Sequence, residues 1–239
     1  MKHRTVNKAR VAAVALLVAF AAFLLYQLGL FFMVLWLSVR DPSSSAFMKA
    51  TRLALQAENP KADIDYSWVP YDRINSSLKR AVVASEDANF IDHEGVEWAA
   101  IRRAWEYNRQ QSKDGKSKMR GGSTITQQLA KNIFLSDSRS YWRKGQELIL
   151  TYMIEMVMSK ERILELYLNI AQWGSDVFGA QAAAQHYFKT NAAQLNSHQA
   201  AQLAAMLPNP VYYDKNRNTK YLRGRTATLQ QRMRQVTVP

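Results

Sequence analysis

The chain has 239 residues, no cysteine and a net charge of +13, from 32 lysines and arginines against 19 acidic residues. This length suits one domain of ordinary size with appendages, and 48% hydrophobic residues are enough for a buried core. Without cysteine, disulfides, a thiol nucleophile and a thiolate-bound zinc are excluded. The positive charge favours an anionic partner: nucleic acid, an acidic membrane surface or a phosphorylated substrate.

The N-terminus carries a long apolar segment behind a basic start. Residues 1–10 hold four basic side chains and no acid, and residues 11–37 follow without a charge. About 20 apolar residues in an α-helix cross the hydrocarbon core, and the basic residues predict that the N-terminus stays in the cytoplasm. A cleaved signal peptide is the alternative, with Ser44 and Ala46 as small cleavage-site residues, but its apolar region would span only about 7 to 15 residues. We therefore predict a cytoplasmic tail at 1–10 and an uncleaved transmembrane helix at 11–37.

This topology argues against nucleic acid as a partner. Without the four basic residues of the tail, the charge of +13 falls to +9, and that charge lies outside the cytoplasm. A positive surface there suits anionic lipid headgroups or a lipid-linked phosphate.

Helical patterns dominate beyond the anchor. Residues 38–67 are predicted to be a linker and N-terminal segment, in which 48–70 is ambiguous, and residues 68–239 are predicted to be the main domain. No strand hairpin and no repeat is found. The apolar spacing predicts helices from about residue 78 to 86 and at 96–111, 125–134, 141–158, 161–169, 180–188 and 197–207. The tail after Asp214, with seven basic residues and no acid, is interpreted either as a solvated basic helix or as a membrane-surface patch.

The stretch "EDANFIDHEG" at 86–95 is the first candidate for chemistry. Glu86 follows an apolar helical run, so its carboxylate can face a cleft and accept a proton from a sugar hydroxyl. Asp87 points about 100° away on a helix, so the two need not act on one atom. The alternative is a set of ordinary surface acids, with His93 at a helix end.

Two further stretches offer polar and cationic groups. In "RGGSTITQQLAKN" at 120–132, Ser123, Gln127 and Lys131 are spaced four apart and predict one polar helix face, suited to sugar hydroxyls and phosphate oxygens. The alternative there is a well-capped amphipathic helix with Ser123 or Thr124 as the cap. Near "RKGQE", the residues Arg139, Arg143 and Glu147 are again four apart. Their alternative is a salt-bridge ladder worth about 0.2–0.5 kcal/mol per pair.

These stretches and "SKERILELYLN" at 159–169, in this order and spacing, resemble glycosyltransferase family 51, the peptidoglycan glycosyltransferases. The resemblance covers roughly residues 68–213. It implies an all-α, lysozyme-like, two-lobed domain whose smaller lobe meets the outer leaflet of the bacterial cytoplasmic (inner) membrane, with the catalytic domain outside. Trp98, Ile101 and Trp105 are candidates near that lobe, with ordinary core packing as the alternative for Trp98 and Ile101.

The resemblance also assigns roles to residues. Glu86 matches the general base for the acceptor's 4-hydroxyl, which attacks the anomeric carbon of the growing chain and forms a β-1,4 bond with inversion. Glu147 matches a second functional glutamate, and Lys131, Arg139 and Arg143 match the basic positions around the donor diphosphate. The other matched positions are expected to line the cleft: Asp87, Phe90, His93, Ser123, Gln127, Gln128 and Asn132.

Inversion requires the base on the face opposite the leaving group, so Glu86 is expected on the wall opposite the basic residues. A diphosphate can leave without a proton if its charge is neutralised, and one carboxylate then suffices for proton transfer. Glu147 either orients Arg143 or holds a divalent cation, magnesium or manganese, near the diphosphate. This choice stays open, no metal ligand is assigned, and no organic cofactor is implied.

The resemblance implies a monofunctional enzyme. A transpeptidase would need S-x-x-K, S-x-N and K-T-G motifs; "SSLK" at 76–79 lies inside the glycosyltransferase region, and "KTN" at 189–191 does not match. The expected partners are lipid II, the growing glycan strand, membrane lipid and other cell-wall synthesis or division proteins. A lytic muramidase and a non-catalytic scaffold that binds precursors are the competing functions.

Overall fold

The computed structural model describes residues 8–115, 121–135 and 140–239. The chain forms two units, of which the first ends at Arg40 and the second is Asp41–Pro239. The first unit contains α1, Lys8–Leu37, whose mean hydropathy reaches 2.4 over 18 residues. At 1.5 Å per residue, a helix of this length spans about 45 Å, which exceeds the roughly 30 Å of a hydrocarbon core. In the described ranges, α1 is the single helix that could cross a membrane by length and composition.

The second unit is built almost entirely from helices, which confirms the predicted all-α class. Two strands of two residues each, β1 (Asp65–Tyr66) and β2 (Val177–Phe178), pair in parallel with Asp65 opposite Val177. Single 3₁₀ turns lie at Tyr71–Arg73 and Ala192–Gln194. The helices are α2 Ala46–Glu58, α3 Ser76–Glu86, α4 Trp98–Lys113, α5 Ile125–Phe134, α6 Tyr141–Val157, α7 Lys160–Ile170, α8 Ala180–Phe188, α9 Ser197–Met206, α10 Pro210–Lys215 and α11 Lys220–Arg232.

Two helices, α2 and α10, lie outside the helical segments predicted from the sequence. Helix α2 begins after Ser45, whose hydroxyl accepts a hydrogen bond from the Met48 N–H at 3.1 Å and so caps the first turn. Helix α10 begins at Pro210, after the predicted end of the preceding helix at residue 207. Proline fits the first turn because its missing N–H has no helical partner there.

Two groups of packed helices form the core: α5, α6 and α7 in the first, and α3, α9 and α11 in the second. Leu129, Ile154 and Ile163 fill the first group and are completely buried. In the second group, α9 presents buried alanines such as Ala201 and Ala204. These short side chains let neighbouring helices approach closely, and this packing holds α3 in place.

The basic tail is an integral part of the domain. On α11, Leu222, Thr226 and Leu229 are buried, and the helix packs against α9 and α3. The solvated-helix interpretation therefore holds for its outer face alone, where Arg223 and Arg232 are exposed.

The apolar residues of α4 face outward. Trp98 and Trp105 are each 60% exposed, and Ile101 is half-buried. Core packing was the alternative interpretation of Trp98 and Ile101, and it is wrong for Trp98. The two exposed indoles leave the membrane-facing role of α4 as a prediction.

Candidate active site

Glu86 is the last residue of α3, and its side chain is half-exposed. Asn75 caps the start of α3 by accepting the Ser77 N–H at 2.9 Å, and a buried apolar face then fixes the helix. At its end, the Ser85 hydroxyl donates to Glu86 Oε1 at 2.9 Å, and Gln128 Nε2 donates to Oε2 at 3.1 Å. Two neutral donors thus orient the carboxylate. Because a carboxylate oxygen has two lone pairs, each oxygen can accept a further hydrogen from an incoming hydroxyl.

Tyr167 fixes the amide that holds Glu86. Its hydroxyl donates to Gln128 Oε1 at 3.0 Å, which turns the amide nitrogen toward Glu86. Burial of Tyr167, together with the nearby charges of Glu86 and Asp87, raises the pKa of its hydroxyl well above the ordinary value. Tyr167 therefore stays a neutral donor. It lies within "SKERILELYLN", and neither its role nor its contact with Gln128 was predicted.

Asp87 is buried, and its carboxylate binds protein groups. Its Oδ2 accepts the Ile125 N–H at 3.0 Å, and its Oδ1 lies 2.9 Å from His93 Nε2. His93 Nδ1 accepts the Gly95 N–H at 3.1 Å, so the ring proton is on Nε2 and is donated to Asp87. Asp87 and His93 thus link the end of α3 to the first turn of α5, next to Glu86. Their predicted contact with substrate stays a prediction.

Phe90 is completely buried beneath the same loop. The Lys160 ammonium lies 4.7 Å from the centre of its ring and donates to the His93 carbonyl at 2.6 Å. Glu155, which the sequence did not single out, binds Lys160 at 2.8 Å. In this structure Phe90 packs the loop and presents no surface to a ligand.

The polar face of α5 differs from the predicted one. Thr124 is the cap: its hydroxyl accepts the Gln127 N–H at 3.2 Å, and Gln127 Oε1 accepts the Thr124 N–H at 3.0 Å. The amide of Gln127 is therefore buried and used in this capping box. Ser123 precedes the cap, so the helical period does not extend to it. The half-exposed polar residues of the helix are instead Gln128, Lys131 and Asn132.

Helix α6 carries a buried carboxylate between two cations. Glu147 is 3% exposed; its Oε2 accepts from Arg143 Nη1 at 3.1 Å, and its Oε1 accepts from Lys144 Nζ. Arg143 and Lys144 also line an open cavity of about 380 Å³ together with Ser140 and Tyr141. The cavity therefore has a cationic wall, suited to an anionic group. Lys144 was not predicted, although it lies three residues from Glu147; Arg139 lies outside the described residues.

Glu86 lies on a different helix from the cations of α6, but it contacts α5, the helix that carries Lys131. Glu86 contacts Gln128, which lies less than one turn before Lys131, whereas Arg143 and Glu147 are on α6. Helix α5 thus contributes both to the surroundings of the carboxylate and to the cations, and the expectation that Glu86 lies opposite the basic residues stays a prediction.

Across the described ranges, no group of three or more histidine, aspartate and glutamate side chains is arranged to hold a metal. A cation at Glu147 would compete with Lys144 and Arg143, each of which already binds one oxygen of the carboxylate.

Comparisons with known proteins found a matching family model and several similar proteins. A family model described as Transglycosylase matches residues 54–234. Three relatives are each named biosynthetic peptidoglycan transglycosylase. The protein of Bordetella pertussis (strain Tohama I) is 62% identical over 236 residues, 99% of this chain and 98% of that protein. The protein of Bordetella avium (strain 197N) is 66% identical over 91% of this chain and 90% of that protein. The protein of Janthinobacterium sp. (strain Marseille) is 54% identical over 90% of this chain and 92% of that protein. The family match spans every helix that carries a residue of the site.

Proposed function

We propose, because this chain belongs to the transglycosylase family, that it is a membrane-anchored peptidoglycan glycosyltransferase. It polymerises lipid II into β-1,4-linked glycan strands and releases undecaprenyl diphosphate. The names of its relatives support the substrate, and α1 fits a membrane anchor. The basic residues before and within the first turn of α1 support an N-terminus in the cytoplasm and a catalytic domain on the outer side of the bacterial inner membrane.

The observation that carries the mechanism is the state of Glu86, a half-exposed carboxylate oriented by one neutral donor on each oxygen. The 4-hydroxyl of the acceptor sugar attacks the donor's anomeric carbon. As the new C–O bond forms, the hydroxyl proton passes to a free lone pair of Glu86. The anomeric bond to the diphosphate breaks on the opposite face, and its electron pair leaves with the phosphate oxygen.

The leaving diphosphate needs positive charge rather than a proton. Arg143 and Lys144 on the cavity wall supply that charge, with Lys131 on α5 as a further cation. Glu147 acts by orienting the two α6 cations, since each of its oxygens binds one of them. The competing role for Glu147 is to hold a magnesium or manganese ion, which would neutralise the diphosphate and would compete with Arg143 and Lys144 for the carboxylate. A muramidase that cleaves finished strands meets no diphosphate and has no use for this wall.

The test is polymerisation of lipid II by the full chain and by Glu86→Gln. Glutamine keeps the shape and cannot take the proton, so we expect a loss of at least about 10²-fold in glycan polymer. Glu94→Gln is the matched control, because Glu94 is an exposed acid on the same loop, and it should polymerise at the wild-type rate. Unchanged turnover in Glu86→Gln, or release of soluble muropeptides instead of polymer, would overturn the proposal.

A further inference from the structure

A cation of the basic C-terminal helix is connected to Glu86 through one hydroxyl group. Arg225 on α11 donates from Nη2 to Ser85 Oγ at 2.9 Å, across 140 residues of sequence. Ser85 Oγ in turn lies 2.9 Å from Glu86 Oε1. The three groups form a series of two hydrogen bonds, from the guanidinium to the hydroxyl and from the hydroxyl to the carboxylate.

The donor and acceptor in each hydrogen bond of this series are fixed by the groups at its two ends. A guanidinium has donors and no acceptor, and an ionised carboxylate has acceptors and no donor. Ser85 must therefore accept from Arg225 and donate its single hydrogen onward. The Ala204 carbonyl is the other acceptor within reach, at 3.3 Å, but the carboxylate is nearer and charged, so the hydrogen goes to Glu86.

Arg225 differs from the other basic residues of the tail. Buried Leu222 and Thr226 hold its side of α11 against the domain, whereas Arg223 and Arg232 are exposed. Arg225 is half-buried, and its Nε is buried without a hydrogen-bond partner in the described part of the chain. Within that part it also forms no salt bridge. Partial burial of an arginine without a paired carboxylate costs free energy, and its contact with Ser85 directs the charge toward Glu86.

We propose that Arg225 is a positioning residue for the general base, and that it acts through Ser85. This inference rests on the proposed function of Glu86. With Arg225 in place, Ser85 holds Oε1 while Gln128 holds Oε2, so the carboxylate is fixed at both oxygens. Without Arg225, no donor fixes a lone pair of Ser85 Oγ, so the hydroxyl hydrogen can also turn toward the Ala204 carbonyl, and Oε1 is held less firmly. The carboxylate is then held mainly at Oε2, and the chemical step slows while substrate binding is unaffected.

The test compares kcat and KM for lipid II in the full-length wild type, Arg225→Ala, Ser85→Ala and the double variant. Loss of one hydrogen bond to a charged group should lower kcat about tenfold in each single variant. We expect KM to stay within about twofold, because neither residue is placed in contact with substrate. The double variant should be no slower than the singles, since both changes break the same series of hydrogen bonds. Methylguanidinium added to Arg225→Ala should restore part of kcat, which a merely structural arginine would not predict.

Arg223→Ala is the matched control, because it removes the same charge from the exposed face of the same helix. It should leave kcat and the unfolding midpoint near wild type. If Arg225→Ala does not fold, Ser85→Ala carries the test, because it removes a single hydroxyl oxygen.

Wild-type kcat in Ser85→Ala, losses that multiply in the double variant, or a raised KM with unchanged kcat would each overturn the inference. If these results accompany an inactive Glu86→Gln, the positioning role alone fails. If Glu86→Gln is itself fully active, the proposed function fails with it.

Discussion

The carboxylate of Asp87 accepts the backbone N–H of Ile125 at 3.0 Å, and so joins the end of α3 to the first turn of α5. The N-terminal N–H groups of a helix lack helical partners, and the helix dipole favours a negative charge at that end. Asp87 therefore stabilises α5 and, one residue from Glu86, also fixes the place where α3 ends.

Replacing Asp87 with asparagine should destabilise the domain. The change removes the negative charge and one acceptor, and leaves a buried N–H or the His93 ring without its partner, at a cost of about 1–3 kcal/mol. For a domain of this size, each kcal/mol lowers the unfolding midpoint by roughly 2–4 °C. Circular dichroism during heating measures the shift. Asp92→Asn, at an exposed acid of the same loop, should shift the midpoint little, and equal midpoints for the two variants would contradict this role.

Gly95 should not tolerate alanine. Its φ is +83°, and a Cβ there would lie 2.7 Å from side-chain carbons of both Glu155 and Thr151. The backbone conformation costs an L residue about 1–2 kcal/mol, and the overlap adds about 1–3 kcal/mol. Gly115→Ala is the control, because its φ is +65° and its Cβ would meet nothing within 4 Å. Urea unfolding should show a clearly larger loss for Gly95→Ala; similar losses would mean that the loop moves aside at little cost.

Arg143 and Glu147 should behave as one unit in kinetics. If Glu147 acts by orienting Arg143, then Glu147→Gln and Arg143→Ala each disturb the same cation, and their double variant should lose little more than the worse single variant. Rates of lipid II polymerisation at several magnesium concentrations give this comparison. Losses that multiply, together with a magnesium requirement that changes in Glu147→Gln alone, would instead favour Glu147 as a ligand of the metal.

Asp214 should make stability depend on pH in the acid range. Burial alone would raise the pKa of Asp214, but hydrogen bonds from the Ser175 N–H and the Tyr187 hydroxyl, with His186 nearby, outweigh it and lower the pKa. A carboxyl whose pKa is lower in the folded state stabilises the fold above the unfolded pKa of about 3.9. That contribution is lost as the pH falls through the folded pKa.

The variant Asp214→Asn should therefore melt roughly 2–4 °C below wild type at pH 7, through loss of about one hydrogen bond. The difference should begin to shrink below about pH 4, the pKa of the unfolded state, and should be lost as the pH falls through the lower folded pKa of Asp214. Melting curves at pH 7 and pH 3 test this, with Asp92→Asn as the exposed control. A difference that stays constant across this range would show that the charge of Asp214 does not contribute.

The helices were predictable where local signals agree. Residues 125–134 and 180–188 were predicted with the bounds that the structure has, because apolar spacing and terminal residues point to the same limits. Helix α2 was left ambiguous because residues 48–70 also include the irregular segment that follows Glu58, and Met48 is the single buried residue of the helix. Strands of two residues are too short to show alternation, and β1 could not be recognised from its own sequence.

The site was predictable in its residues but not in its contacts. The motifs identified Glu86 and Glu147 as candidates, and helical spacing alone brings Arg143 next to Glu147. The partners of Glu86 come from elsewhere: Gln128 is 42 residues away, and Arg225 reaches it through Ser85 over 140 residues. No local pattern encodes such pairs, because they arise from the packing of α5 and α11 against α3.

Asn169 on α7 binds the backbone of Val69, which the ribosome synthesises 100 residues earlier. Its completely buried side chain accepts the Val69 N–H at 2.9 Å and donates to the Val69 carbonyl at 2.9 Å, across a separation of 100 residues. At about 5–20 residues per second, the ribosome completes those intervening residues in roughly 5 to 20 s. During that interval the peptide groups at Val69 can bond only to water or to a chaperone. A fully folded domain must therefore await the emergence of α7, and a chain truncated before it should be a target for proteases.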